Sequence, residues 1–241
     1  MIHPSAQIAQ GAKIADNVQI GPFCRVAEDV ILQSGVILEP HVTLENGVTI
    51  GAHSHLYAFV HIGNSKATVT IGEACTIREF TKIGTLSTDD QPIVVSADCY
   101  IMGYVEIRSG TEVQKGCIIT NNVLLGRNSQ CQEGVIIGAK ATIAKNCTLG
   151  RGVMVGGASA VQGDIPPYCL AEGYPHATIR GLNLIGMRRN FKDRGSITQV
   201  KKSFMYLKKK GFSPLEASQM LPEAKDTHAK RFIAFIAAHK V

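Results

Sequence analysis

The sequence predicts a mainly β fold: a parallel β-helix of hexapeptide repeats followed by a small C-terminal α-helical domain. Three observations carry this reading. At every sixth residue from Ile2 to Ile62 the chain is aliphatic, as at Ile8, Ile20, Val26, Leu38, Ile50 and Leu56. Two residues ahead of each such stop, from Ile8 onward, sits a small or β-branched residue, such as Ala6, Val18, Cys24, Val36, Val48 or Ser54. Neither a helical period of 3.6 nor a strand alternation of 2 generates a strict six, whereas a β-helix with one short flat segment per side does. The composition agrees: 241 residues with no tryptophan, 6% aromatics and 24 glycines suit small stacked side chains better than a globular core.

The register slips once at 64–68, where three residues are added, and resumes at Ile71, Ile77 and Ile83. A second interruption at 85–92 has the turn-rich composition of a loop projecting from the coil. Stops then run from Val95 through Ile107, Leu125 and Ile143 to Val161. At three sides per coil this gives roughly nine coils, stacked about 4.8 Å apart. The prolines of Asp164-Ile-Pro-Pro167 end the ladder, and the stretch to Gly181 is expected to be irregular or extended. A helical spacing follows at Ile197, Val200, Phe204 and Leu207, with Ser196 as N-cap and Gly211 beyond the end. Ser213-Pro-Leu-Glu216 reads as a capping box with proline at the first helical position, and a last amphipathic stretch covers 227–239. The division expected is 1–181 for the solenoid with its end segment and 182–241 for the helical domain.

Several classes are excluded by what is present. Cys24, Cys75, Cys99, Cys117 and Cys147 occupy the small position of the repeat and Cys131 a stop, with no CxxC spacing. They are expected as buried thiols rather than disulfides or zinc ligands. His53 and His55 lack a third ligand and, with His61, read as surface or interface residues, so no metal site and no cofactor is predicted. The glycines of 150–157 lack the Walker lysine and a following helix, and are read as structural. The N-terminus lacks a secretory pattern and no long uncharged apolar run occurs, so no membrane span and a soluble cytoplasmic protein are expected. Net charge is +6, yet between 188 and 210 nine Lys and Arg residues face the single acid Asp193. That concentration points to an acidic partner; nucleic acid is not expected, because no recognition module accompanies it.

The run GGASAVQGDIPPYCLAEGYPHATIRGLN (156–183) and the GMRRNF that follows (186–191), with HPSAQIAQGAKI, IGPFCRV, Ile77-Arg-Glu79 and Cys117-Ile-Ile-Thr-Asn-Asn122, carry a resemblance over nearly the whole chain. They resemble the UDP-N-acetylglucosamine O-acyltransferases of lipid A synthesis. The resemblance implies a left-handed coil, a homotrimer with its site between subunits, and transfer of a 3-hydroxyacyl group from acyl carrier protein to the glucosamine 3-hydroxyl of UDP-N-acetylglucosamine. It also implies that the basic tail contacts the carrier protein. In the tail, Asn183 and Arg189 match the family pattern and Arg188 keeps its charge, which marks them as substrate-binding; Ile185 and Asn190 depart from it.

The family's paired histidines, however, are missing. In GYVEIRSG (103–110), Glu106 stands at the first histidine's place and Ser109 at the second. Gly126-Arg127-Asn128 and Ala144 replace further family positions, and the nucleotide-sugar loop is shortened to 64–68. Glu106 is therefore the remaining candidate base. Residues 18 apart share a column, so Ser109, Arg127 and Lys145 are expected to form an anion site in the cleft. An acyltransferase is the function expected by family; the alternative is a catalytically altered or inactive homologue that binds nucleotide sugar or carrier protein. A different enzyme class on the same scaffold is a third possibility.

Overall fold

In the computed structural model, residues 1–64, 66–85, 91–239 and 241 are described. The six-residue period produces short strands, mostly of two residues, connected by turns. Among the described residues they stack into three parallel sheets: the first has nine strands, the second eight, and the third ten including a terminal hairpin. The first sheet begins with Gln7–Ile8, the second with Lys13–Ile14 and the third with Gln19–Ile20. Strands 18 residues apart pair in register, as Glu106↔Leu124 and Leu124↔Thr142 show. The two interruptions lengthen the offset without breaking the ladder: His61 pairs with Lys82 and Lys82 with Glu106. Most of the second interruption, 86–90, lies outside the described residues.

The aliphatic stops fill the interior, with Leu38, Ile50, Ile77, Ile101, Ile119 and Leu125 at 0–1% exposure. All seven cysteines are free and buried, and burial pushes the Cys131 thiol up to about 12 and the Cys147 thiol up to about 11. These two are protonated core groups. Buried hydroxyls at the small position bond the neighbouring coil: Ser54 Oγ donates to the Gly72 carbonyl at 2.8 Å and accepts from Cys75 N at 3.0 Å.

The prolines end the second sheet but not the third. Ile165 still bridges Leu149; after Pro166 and Pro167 the chain re-enters the third sheet as Cys169–Glu172, whose Leu170 pairs with Met154. Thr178–Leu182 then folds back antiparallel on that strand. Of the two forms expected for the segment up to Gly181, irregular or extended, the extended one holds for most of it: a hairpin closes the exposed sheet edge.

Among the described residues four α-helices follow: α1 (Leu184–Asn190), α2 (Arg194–Lys209), α3 (Pro214–Met220) and α4 (Thr227–Ala238). The N-cap of α2 is Asp193, not Ser196; its carboxylate accepts from Gly195 N and Ser196 N, and the Ser196 hydroxyl is spent on Asp226 at 2.6 Å. Ser213 caps α3 as expected, but Glu216 does not complete the box, because it accepts from the Tyr206 hydroxyl and pairs with Lys210. Val200, Phe204 and Leu207 of α2 are buried, as are Phe232, Ile233 and Ile236 of α4. No helix among the described residues is long and apolar enough to cross a membrane.

Because the interior is a stack of fully buried aliphatic rungs, truncation of one rung leaves a cavity that the coils above and below cannot close. Leu125→Ala is expected to cost about 2–5 kcal/mol, read as a lowered urea midpoint with unchanged slope.

Candidate functional site

Ser109, Arg127 and Lys145 lie in turns between the first and second sheets, following Glu106–Ile107, Leu124–Leu125 and Thr142–Ile143. Asn128 N donates to the Ser109 carbonyl at 3.0 Å and Asn146 N to the Arg127 carbonyl at 2.9 Å, so the turns sit one above another. Arg127 and Lys145 are exposed, as a column of cations requires. Ser109 is different: it is 1% exposed. Gly110 N donates to the Gln91 carbonyl, so the chain returning from the second interruption runs against this corner. Of the three residues expected in this column, Arg127 and Lys145 are thus exposed and Ser109 is buried.

Glu106 is on the outer face of the first sheet, and its Oε1 accepts from Arg108 Nε at 2.8 Å. Ionised, it can only accept, and proton abstraction requires it to exchange Arg108 for a substrate hydroxyl. His61 shares this face two strands earlier, through the pairs His61↔Lys82 and Lys82↔Glu106. Its Nε2 lies 3.5 Å from Glu45 Oε1, too far for a good hydrogen bond. His61 is therefore less remote from the Glu106 region than its early position predicts; offsets of 21 and 24 across the interruptions hid the shared column.

The tail residues occupy another corner, between the second and third sheets. Asn183 caps α1, its Oδ1 accepting from Gly186 N at 3.0 Å while Nδ2 donates to the Gly152 carbonyl at 3.1 Å. Both ends of this side chain anchor the helix to the coil. Arg188 and Arg189 on α1 are exposed, and Arg188 lines a basic cavity of about 570 Å³ with Lys192 and Arg194. Beside α1 lies a cavity of about 380 Å³ lined by Arg151, Tyr168, Phe191 and His228. The Tyr168 hydroxyl lies 3.0 Å from His228 Nδ1 and accepts from Arg231 Nη1 at 3.1 Å, and the His228 ring stacks on Phe191 at 3.7 Å. Arg151 grips Glu133 through both guanidinium nitrogens. Burial lowers the His228 pKa and raises that of Tyr168. Sequence reading missed this cluster because residues 60 apart carry no local pattern.

A third cavity, of about 610 Å³, opens where the third sheet turns into the first, lined by Arg78, Tyr100, Tyr104 and Asn121 among others. Arg78 donates twice to Glu79, at 2.9 and 3.0 Å, and lies 4.4 Å from the centroid of the Tyr57 ring. The Arg78 guanidinium holds the Glu79 carboxyl below the usual carboxylate range. Within one chain, then, the cations of the first corner and the tail residues of the second are on different edges of a triangular prism.

The family model described as UDP N-acetylglucosamine O-acyltransferase, domain 2, matches 164–240, and a bacterial transferase hexapeptide model of six repeats matches 11–46. The acyl-[acyl-carrier-protein]–UDP-N-acetylglucosamine O-acyltransferase of Aliarcobacter butzleri is 34% identical over 98% of this chain and 94% of its own length. The chain belongs to that O-acyltransferase family. The Sulfurovum member is 38% identical over 99% of this chain and 95% of its own. The solved UDP-N-acetylglucosamine acyltransferase from Campylobacter jejuni superposes with a TM-score of 0.91 and 31% identity, covering 100% of this chain and 97% of that one. The coil is accordingly the left-handed parallel β-helix of this O-acyltransferase family, the opposite hand from ordinary parallel crossovers.

The lowered pKa of His228 has a sign that can be checked. The unfolded chain takes up the imidazole proton more readily than the folded one, so this contribution to stability is complete above the ordinary value of 6.5 and is lost as pH falls through it. Thermal melts from about pH 8 down to about pH 5 are expected to show a falling midpoint, and His228→Gln to flatten part of that fall.

Proposed function

We propose that this chain transfers a 3-hydroxyacyl group from acyl carrier protein to the sugar hydroxyl of UDP-N-acetylglucosamine. The observation that supports this most is the end-to-end match to the Campylobacter jejuni enzyme, which includes both the coil and the helical tail. In this reading the hydroxyl oxygen attacks the thioester carbonyl, its proton passes to a base, and the carrier's thiol leaves. Glu106 is the titratable group in the stretch where the family has histidine, and it takes the proton once substrate displaces Arg108. Arg127 and Lys145 suit the diphosphate, since each presents a cation to one edge of the coil.

The active form in this proposal is a homotrimer. A neighbouring copy then supplies Arg188 and Arg189 across the cleft, which answers the separation of the two groups of candidates within one chain. Residues 1–181 form the coil that holds the acceptor and 182–241 the tail that receives the carrier protein, whose acidic surface meets α2. Lys201 and Lys202 are exposed on that helix. Carrier protein and nucleotide sugar are cytoplasmic substrates, and the protein is placed there with them.

The test is an assay with 3-hydroxyacyl carrier protein and UDP-N-acetylglucosamine. Wild type is expected to turn over, with Glu106→Gln lowering kcat by about 10²–10⁴-fold, the usual worth of a general base. Wild-type kcat in that variant removes Glu106 from the reaction. Binding of both substrates without turnover by wild type favours a binding protein instead. Arg127→Ala with Lys145→Ala is expected to raise KM for the nucleotide sugar by about tenfold or more while altering kcat less, as loss of charge-assisted hydrogen bonds does. Lys201→Glu with Lys202→Glu is expected to raise KM for the carrier protein, with an effect that shrinks in high salt.

A further inference from the structure

Helix α1, which carries Arg188 and Arg189, is seven residues long, too short to hold its shape by helix propensity alone. A cluster of three rings grips both of its ends. At the start, the Tyr168 carbonyl accepts from Asn183 N at 2.7 Å. At the end, the Phe191 N–H closes the last turn on the Met187 carbonyl. The Phe191 ring stacks on His228 at 3.7 Å and stands edge-on to Tyr168 at 5.0 Å. The Tyr168 hydroxyl, 3.0 Å from His228 Nδ1, ties the two ends together.

The backbone at Tyr168 points the same way. Its φ is 64°, and the same corner of the three preceding coils takes Gly116, Gly134 and Gly152 at 65–70°. A tyrosine pays for that left-handed conformation where glycine does not. Its ring, 3% exposed, is committed to the contacts with α1 and α4.

The donors fix where the protons sit. Arg231 Nη1 donates to the Tyr168 oxygen at 3.1 Å, and the hydroxyl proton has no acceptor among the described residues other than His228 Nδ1. That nitrogen is therefore the unprotonated one. A proton there turns the acceptor into a donor and strands the hydroxyl proton in a buried place, which costs more than one ordinary hydrogen bond returns. The new charge also meets Arg231 on its own helix and Arg151 on the coil, and Lys115 lines the same cavity. Opposing it is Asp226, whose carboxylate already accepts from Ala229 N and the Ser196 hydroxyl. Glu133 is held by Arg151, and α1 offers the imidazole only the uncharged Phe191 ring. Burial and the two guanidinium groups outweigh Asp226 and keep the imidazole neutral more readily than in water.

We propose that Tyr168 and His228 are positioning residues: with a neutral imidazole they clamp α1 so that Arg188 and Arg189 meet the nucleotide sugar, and a proton on His228 Nδ1 opens the clamp at the Phe191 end. The role of the arginines rests on the transfer reading above; the clamp rests on contacts within this chain. The hold on the nucleotide sugar then weakens as pH falls, while the coil itself is unchanged.

Two measurements on the full chain test this between about pH 8 and about pH 5. The first is KM for UDP-N-acetylglucosamine at saturating 3-hydroxyacyl carrier protein. Wild-type KM is expected to rise in acid by up to about tenfold per pH unit, the limit for one proton. His228→Gln keeps an acceptor for Tyr168 but takes up no proton, and its KM is expected to stay flat. Tyr168→Phe is expected to raise KM about two- to tenfold already at pH 8, the worth of one hydrogen bond, with kcat less affected. The second measurement is amide hydrogen exchange of residues 187–191, expressed as protection relative to the intrinsic rate at each pH. Protection is expected to fall with pH in wild type and to hold in His228→Gln. Wild-type protection that does not fall, a result that needs no variant, overturns the clamp, as does an equal fall in His228→Gln. Loss of protection with an unmoved KM overturns the positioning role. A wild type that neither binds nor turns over the nucleotide sugar, yet loses protection in acid, overturns the transfer reading and leaves the clamp.

Discussion

The backbone ladder along the coil axis is the interaction on which everything else depends. Each coil turns its N–H and C=O groups up and down the axis, so only the coil above or below can satisfy them. The bonds from Gly126 N to the Ile143 carbonyl and from Gly138 N to the Val155 carbonyl are two of a series running the length of the molecule. This ladder fixes the coil spacing, and the spacing then decides which side chains become neighbours. Interior positions stack aliphatic on aliphatic, and exterior positions stack into columns along three corners.

Each corner uses its column differently. One combines asparagine-bearing turns with Arg127 and Lys145; another packs against the helices through Arg151, Tyr168 and His228; the third stacks five aromatic rings. Residues forty or more positions apart thus act as neighbours, while residues six apart face different ways. Glu106 is held by Arg108, and His61 occupies the same face two strands earlier.

Closure of the coil is a second constraint. A parallel stack ends in unpaired strands, which invite further pairing. The hairpin of Cys169–Glu172 and Thr178–Leu182 blunts the third sheet, and α1 is tied back to the coil by Asn183 at the Gly152 carbonyl. A residue that the sequence resemblance alone marks as substrate-binding therefore holds the tail in place. Its two hydrogen bonds explain the asparagine without any ligand.

The six-residue beat determined the three-sided coil, its approximate length, both interruptions and the burial of the cysteines, because each coil repeats the same local requirement and period alone reveals it. The positions of α2, α3 and α4 were legible from apolar spacing and caps, though α1 was not, with Asp193 displacing Ser196 because its carboxylate reaches two amides at once. Other features needed the tertiary structure. Ser109 counts into the cation column, yet it is buried, beside a Gly110 amide that donates to the Gln91 carbonyl. Phe23 and Tyr104 are 81 positions apart, and only the stacking of coils makes them rungs of one ladder. The Tyr168–His228 contact spans 60 residues and two kinds of structure. Sequence specifies what repeats along the chain; which side chains meet is decided by the pitch of the coil and the docking of the helices.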